Sequence, residues 1–430
     1  MTSATEQASV NHIIDHLFRQ EAGKLVSVLT RIFGSDNIDL AEDVVQDSLV
    51  EAVNNWQYKG VPDNPAAWLF RVAKNKALNV LNREKHKLKY SFETTYLLQS
   101  ESTAEPALDH LFSEPEVLDD QLRMIFTCCH PSISPDSQIA LALKTLCGFS
   151  IPEIARAFLS TEENIHKRLV RARQNIRETK IPFEVPKGKD LESRLETVLE
   201  TIYLLFNEGY SASKGNDVVR FELCQEAIHL AEIIVVHNAF TLKGNVFALL
   251  SLMLLNASRF RARQDSEGNL LTMADQDRSL WDSKMKDLGF FYLQESTHNG
   301  DLSMYHILAA ISAQYCVAPD YASIDWQGIL SLYDNLLQIN RSPVVLLNRA
   351  IAISKVAGAD NALAELEIIK NDPSIKSYHL FYSTQAEFYI QAGQEQNAVR
   401  SLEKAIKLAT LQAEKNLLVK KLSTIKGNKK

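Results

Sequence analysis

Glycine and proline are scarce, at 15 and 12 of 430 residues. That scarcity excludes collagen-like and proline-rich disordered chains and argues against a many-turned all-β fold. Long hydrophobic runs are missing too. The most apolar stretch, Phe247–Leu255, is nine residues long, whereas a membrane span needs about 20. The five cysteines (Cys128, Cys129, Cys147, Cys224 and Cys316) are odd in number and unevenly placed. They speak against a disulfide framework and for a reducing compartment. No CxxC or HxxxH pair stands near Cys128-Cys129-His130. Adjacent ligands on a helix also diverge by about 100°, so these cysteines read as core residues and no metal is expected. Walker and Rossmann glycine patterns are absent, so no cofactor is expected. No nucleophile–base pair stands out, and the chain reads as a non-enzyme with no catalytic residues. Residues 1–12 lack the basic-then-apolar layout of a secretion signal, so a cytoplasmic location is expected.

What is present is a globular composition: 46% hydrophobic and 23% charged residues. A chain this long suggests two to four domains of roughly 100–200 residues. A net charge of −7 rules out a uniformly basic nucleic-acid coat but leaves room for a local basic face. Nearly every segment has helical spacing and none alternates convincingly, so an all-α fold is expected. Residues 12–90 are helical with segregated charges. Residues 91–120 hold eight acids and no Lys or Arg, which reads as a solvated linker. Residues 121–180 are helical and end basic. Ile181–Lys189, with two Pro and a Gly, looks like a second joint, and helices resume from Asp190.

The last hundred residues carry a repeat. Ala350, Ala362, Leu366 and Ile369 are matched 36 residues later by Ala386, Ala398, Leu402 and Ala405. Small residues at these places let the helices of a hairpin pack closely. Period and register resemble a tetratricopeptide (TPR) repeat of about 34 residues. Two units are fewer than the usual three, so they are expected to stack on the preceding helices. The alternative is an unrelated helical bundle.

Residues 150–177 read as a helix-turn-helix. Ser150-Ile-Pro-Glu153 and Ser160-Thr-Glu-Glu163 are both capping boxes, which place a short helix over Pro152–Phe158 and a second helix after a tight turn. In the second helix Ile165, Leu169, Ala172 and Ile176 form an apolar stripe. Glu163, Asn164, Lys167, Arg171 and Gln174 fall opposite, flanked by Arg168, Arg173 and Arg177. Such a face suits phosphates and base edges in a major groove; a solvated surface helix is the plainer alternative.

Asp39-Leu-Ala-Glu42 is a further capping box, opening a helix to about Trp56. Ala41, Val45, Leu49, Ala52 and Trp56 are its buried positions, and Glu42, Asp43, Gln46, Asp47 and Glu51 its exposed acidic side. That side fits either plain solvation or docking to a basic protein partner. Asn64-Pro65 starts the next helix, with Ala66, Leu69, Phe70, Ala73, Ala77, Val80 and Leu81 buried. The opposite side carries Trp68, Arg71, Asn75, Asn79, Asn82 and Arg83, and the tail continues with Lys85, Lys87 and Lys89. An aromatic among Arg, Lys and Asn suits a phosphate-tracking, base-stacking surface. Trp68 fits equally well packed against another helix.

The stretches DLAEDVVQDSLVEAVNNW (Asp39–Trp56), PAAWLFRVAKNKALNVLNR (Pro65–Arg83) and SIPEIARAFLSTEENIHKRLVRARQNIR (Ser150–Arg177) together resemble extracytoplasmic-function sigma factors over about the first 180 residues. The resemblance implies that Glu42, Asp43, Gln46 and Asp47 bind core RNA polymerase. It implies that Trp68, Arg71, Asn75, Asn79 and Arg83 meet the −10 promoter element, and that Glu163, Asn164, Lys167, Arg168 and Arg171 read the −35 element. Phe126–Pro131 (FTCCHP), Tyr203–Ser213 (YLLFNEGYSAS), Asp275–Trp281 (DQDRSLW) and Ser342–Ala352 (SPVVLLNRAIA) are similar to a subgroup with a long helical, TPR-like C-terminal extension. The expected layout is sigma domain 2 at 1–90, an acidic linker at 91–117 and sigma domain 4 at 118–180. A helical extension domain at 190–335 and TPR-like repeats at 336–425 follow. The extension is expected to regulate the factor, and its repeats to offer a surface to a peptide or protein partner. No membrane partner is expected.

The polar motifs Asn207-Glu208-Gly209-Tyr210 and Asp275-Gln276-Asp277-Arg278 leave two readings open. They are structural caps and pairs fixing an inter-helix turn, or a ligand pocket or carboxylate cluster. Two other functional classes also stand beside the sigma factor. One is a free-standing helix-turn-helix regulator, which should bind DNA alone. The other is a helical enzyme or sensor using 200–281.

Overall fold

The computed structural model describes residues 21–83, 109–158, 160–210, 220–237, 243–298 and 302–427. Among them the secondary structure is helical, with one isolated bridge between Gln264 and Leu270 and no named strand. No described helix is long and apolar enough to cross a membrane. The described residues divide into two compact units: residues up to Leu204 with Val236 and His237, and Leu205–Val235 with residues from Lys243 onward.

The first unit begins with α1 (21–33), whose Leu25, Val28, Leu29, Ile32 and Phe33 are fully buried. Next come α2 (Ile38–Lys59) and α3 (Pro65–Arg83). The α3 start forms as its sequence dictates, with Asn64 Oδ1 accepting from Ala67 N at 3.0 Å. The capping box expected at Asp39 does not form. A 3₁₀ turn over Ser35–Asn37 leads straight into α2 at Ile38, and Asp39 already lies inside the helix. The helices α4 (Glu114–Cys128), α5 (Pro135–Thr145), α6 (Ile151–Ala157) and α7 (Glu162–Thr179) follow. Ser150 and Glu153 form the capping box in both directions, at 2.8 and 3.3 Å. The cap of α7 is Thr161 rather than Ser160: its hydroxyl accepts from Asn164 N at 3.2 Å.

Two boundaries differ from the sequence reading. The acidic stretch is helical from Glu114, and Asp120 is completely buried; the rest of that stretch, like Lys85, Lys87 and Lys89, lies mainly outside the described residues. The joint at Ile181–Lys189 does not separate the units. The next helix, α8 (Lys189–Tyr210), places Val198, Leu199 and Ile202 in the core, and its Thr201 hydroxyl donates to Gln138 Oε1 at 2.9 Å. The division falls inside α8, after Leu204.

The second unit contains the end of α8, then α9 (Phe221–Val236), α10 (Gly244–Ala257), α11 (Ser283–Ser296), α12 (Met304–Val317) and α13 (Trp326–Ile339). It closes with α14 (Pro343–Val356), α15 (Ala359–Ile369), α16 (His379–Gln391), α17 (Glu395–Leu408) and α18 (Gln412–Gly427). From α12 onward each of these helices packs on the next. All eight positions of the 36-residue pattern are buried, Ile369 being the most exposed at 3%. Their alanines let α14 sit on α15 and α16 on α17, and seven of the eight belong to one continuous apolar cluster.

Candidate nucleic-acid interface

The helix α7 has two faces and two ends. Its stripe of Ile165, Leu169, Ala172 and Ile176 is buried against α5 and α6, which fixes the direction of every other side chain. Glu163, Asn164, Lys167 and Arg171 stand exposed on the N-terminal half. Glu163 and Lys167 pair with each other at 2.7 Å, one turn apart. Arg168 is half-buried and turned toward Asp136 at 3.2 Å.

The C-terminal half of α7 is engaged within the chain. Arg173 reaches Asp39 at 2.9 Å and Glu42 at 2.7 Å, and Arg177 reaches Asp39 at 2.6 Å. The Ser35 hydroxyl donates to Ile181 O at 2.9 Å just beyond α7. Glu42 is therefore not part of an exposed acidic side. It is 7% exposed, because position 42 turns toward α7 rather than toward water. Burial raises its carboxyl above the ordinary range, with Arg173 opposing.

A second set of charges joins α1 to α4. Arg31 on α1 pairs with Glu116 and approaches Asp120 at 3.6 Å, while Arg123 holds Asp120 at 2.6 Å. Burial pushes Asp120 up to about 7, against the pull of both arginines. At Gly23 the backbones nearly touch: a Cβ there would overlap the carbonyl of Leu146. The junction is close but imperfectly satisfied, since Glu42 Oε1, Asp120 Oδ2 and Arg173 Nε are buried without hydrogen-bond partners.

Away from the junction, Asp43, Gln46 and Asp47 project from α2 into water. On α3, Arg71, Asn75, Asn79 and Arg83 are exposed. Trp68 takes the packed reading without being wholly covered. It is half-buried, edge-on to buried Trp56 with centroids 5.3 Å apart, and the rest of the ring faces outward. Sequence reasoning missed Arg31, Asp39, Arg173 and Arg177 as partners. A carboxylate or guanidinium on a helix surface carries no local mark of which distant charge it will meet.

The five cysteines are buried and none is in a disulfide, and burial pushes the Cys129 thiol up to about 12. Among the described residues no group of three or more His, Cys, Asp or Glu could hold a metal. The carboxylates of the two polar motifs do not gather. Glu208 pairs with Arg220 at 2.8 Å, Asp275 accepts from the Thr272 hydroxyl at 2.5 Å, and Asp277 caps Ser279 N at 2.9 Å.

Comparison with known proteins accounts for this arrangement. Residues 17–87 match sigma-70 region 2, residues 123–176 match sigma-70 region 4, and residues 194–297 match a family of unknown function, DUF6596. An uncharacterized protein of Rhizobium meliloti (strain 1021) is 36% identical over 374 residues, covering 87% of both chains. The chain belongs to the extracytoplasmic-function-like sigma factors with a C-terminal extension. It is an RNA polymerase sigma factor, and its partners are core RNA polymerase and promoter DNA. In this sigma factor the Arg173 and Arg177 contacts join α7 at the end of region 4 to the first turns of α2 in region 2.

Proposed function

We propose that this sigma factor docks core polymerase through Asp43, Gln46 and Asp47. Trp68, Arg71, Asn75, Asn79 and Arg83 then meet the −10 element, and Glu163, Asn164, Lys167, Arg168 and Arg171 the −35 element. The observation that carries this reading is selective exposure. On α2, Asp39 and Glu42 are engaged within the chain, whereas Asp43, Gln46 and Asp47 face water. On α7, Arg173 and Arg177 are engaged, whereas Asn164, Lys167 and Arg171 face water.

The free chain must open to use both DNA surfaces. Asn164 connects along α7 to Arg173, across to Glu42, and along α2 to Trp56 and Trp68. At about 1.5 Å per helical residue, that path limits Asn164 and Trp68 to roughly 60 Å apart. Elements named for positions 25 base pairs apart lie about 85 Å apart on straight B-DNA, at about 3.4 Å per step. Opening frees Glu42, the fourth polymerase-binding position of the family pattern, to join its neighbours.

The extension belongs to the working factor, and its hairpins are TPR-like and offered to a peptide or protein partner. The factor acts in the cytoplasm, where polymerase and promoter meet. The test is run-off transcription with core polymerase on the protein's own upstream region. Charge reversal of Asp43 and Asp47 to Lys should abolish output and cost on the order of 2–4 kcal/mol in polymerase affinity; unchanged affinity overturns the docking face. A chain ending after Tyr210, which keeps α8 whole, should bind polymerase but transcribe poorly. Equal output removes the extension from the mechanism, and higher output makes it inhibitory.

A further inference from the structure

Three arginines in the second unit lack what every arginine of the region 2–region 4 junction has. Arg259, Arg263 and Arg278 make no ion pair with any described carboxylate. Arg259 donates to the Tyr210 hydroxyl at 2.9 Å, and Arg263 to the Tyr210 carbonyl. Arg278 donates to the carbonyls of Tyr315 and Ala318, both at 2.7 Å. Aromatic faces complete their surroundings. Arg263 lies 4.1 Å from the Tyr210 ring centroid, and Arg259 and Arg278 lie 5.5 and 4.5 Å from that of Trp281. The two polar motifs of the sequence thus converge here, one supplying Tyr210 and the other Arg278 and Trp281.

Carbonyls at the ends of α8 and α12 offset part of this charge, each helix end being worth about half an elementary charge. They do not offset all of it. Burial and the neighbouring Arg259 both act to lower the Arg263 and Arg278 guanidinium pKa values, so the cluster is crowded with like charge. Asp320, a carboxylate that acts to raise the Arg278 value, is bound to Ser323. More telling are the donors left over. Arg259 Nε, Arg278 Nη2 and Trp281 Nε1 are buried with no hydrogen-bond partner, on residues of which Arg259 is 9% and Trp281 6% exposed. All three can only donate. A buried donor without an acceptor costs about 1–3 kcal/mol, and more when charged, so three around one indole call for a species that only accepts.

We infer that the cluster of Tyr210, Arg259, Arg263, Arg278 and Trp281 is a binding site for a phosphate group, free or carried by a small molecule. A phosphate brings about −1.5 to −2 charge and three acceptor oxygens, as many as the unused donors, and offsets most of the unbalanced charge. A carboxylate supplies half that charge and two oxygens. Arginine forks suit tetrahedral oxyanions better than lysine would. Arg278 is only half-buried, and its neighbours Asp277, Ser279 and Leu280 are exposed, so the cluster lies just beneath the surface.

The test uses the full chain, titrated calorimetrically with inorganic phosphate at constant ionic strength, with adenosine monophosphate and succinate in parallel. Saturable phosphate binding is expected, together with a change in tryptophan fluorescence that disappears in Trp281→Phe. Arg259→Gln should weaken binding by about tenfold or more, as expected for loss of a charged hydrogen bond. Trp281→Phe, which keeps an aromatic face but removes the orphaned N–H with the pyrrole half of the indole, should weaken it less. Arg349→Gln, whose parent side chain is already paired with Asp334 and Glu365, should bind as the unmodified chain does. Tighter binding of the nucleotide identifies a phosphoryl group on a larger molecule, and equal binding identifies free phosphate. No saturable binding of either, equal binding by Arg259→Gln, or succinate binding as tightly as phosphate overturns the inference.

Discussion

Two groups of arginines, one in each unit, meet different partners. In the first unit Arg31, Arg123, Arg173 and Arg177 each find a carboxylate, and the pairs of Arg31, Arg173 and Arg177 tie region 2 to the segment carrying region 4. In the second unit Arg259, Arg263 and Arg278 find carbonyls and aromatic faces instead. The same side chain therefore does two jobs. Where the countercharge is built into the chain, the arginine holds two segments together. Where it is missing, the arginine is set to take one from outside. A contact of the first kind can be exchanged for an external partner, which is what a factor needs if it must separate two DNA-binding regions.

The sharpest way to break this contrast is to strand one of the built-in carboxylates. Arg173→Ala leaves Glu42 buried without its cation, at a cost of about 3–5 kcal/mol for a broken buried pair. Because the junction can part, the expected result is opening rather than unfolding. Hydrogen exchange around Asp39–Val45 should quicken and the radius of gyration rise, while far-UV circular dichroism stays constant. An unchanged exchange rate would show that the pair does not hold the regions together. Gly23→Ala attacks the same junction without touching a charge. Its methyl collides with the Leu146 backbone, and overpacking of this kind costs about 1–3 kcal/mol, again read as faster exchange in both helices.

Arg171→Ala removes an arginine that has no built-in partner because it faces water. It should weaken −35 binding by about 1–3 kcal/mol if it grips a base. If it touches only phosphate, the loss will be independent of sequence and the salt slope will fall by about one. Promoter binding unaffected in either respect removes Arg171 from the reading face. The smallest effect is the pH dependence of the junction. The folded value for Asp120 is about 7, above its ordinary 3.8, so the folded chain holds a proton there that the unfolded chain releases. Stability should therefore fall as pH rises between those values, and Glu42, raised in the same direction, adds to the slope. Denaturant melts of Asp120→Asn should show a shallower decline between pH 5 and 7; an identical slope would place the proton elsewhere.

Much of the interface was legible because helices are written in short-range code. The stripe Ile165, Leu169, Ala172, Ile176 dictated which side of α7 faces out, and those residues are buried as spaced. Ser150 with Glu153 and Asn64 with Ala67 form their caps because both partners lie within one turn. The errors also have a local cause. Ser160 and Thr161 are adjacent hydroxyls, and only backbone direction chooses between them. Asp39 looked like a cap because its distant partners, Arg173 and Arg177, left no trace in its neighbourhood.

The sequence by itself determined the helical class, the two sigma regions, the exposed acids of α2 and bases of α7, and the alanine spacing of the terminal hairpins. Each of these follows from contacts within a few residues or from a repeating period. Tertiary structure alone decided that Glu42 lies under Arg173, 131 residues away. It decided that the first turns of α8, beyond the expected joint, still pack in the first unit, and that Tyr210, Arg278 and Trp281 surround two further arginines. A charge is compatible with many partners, and only the packing of helices, set by their apolar faces, selects which partner it meets or whether it is left waiting for one.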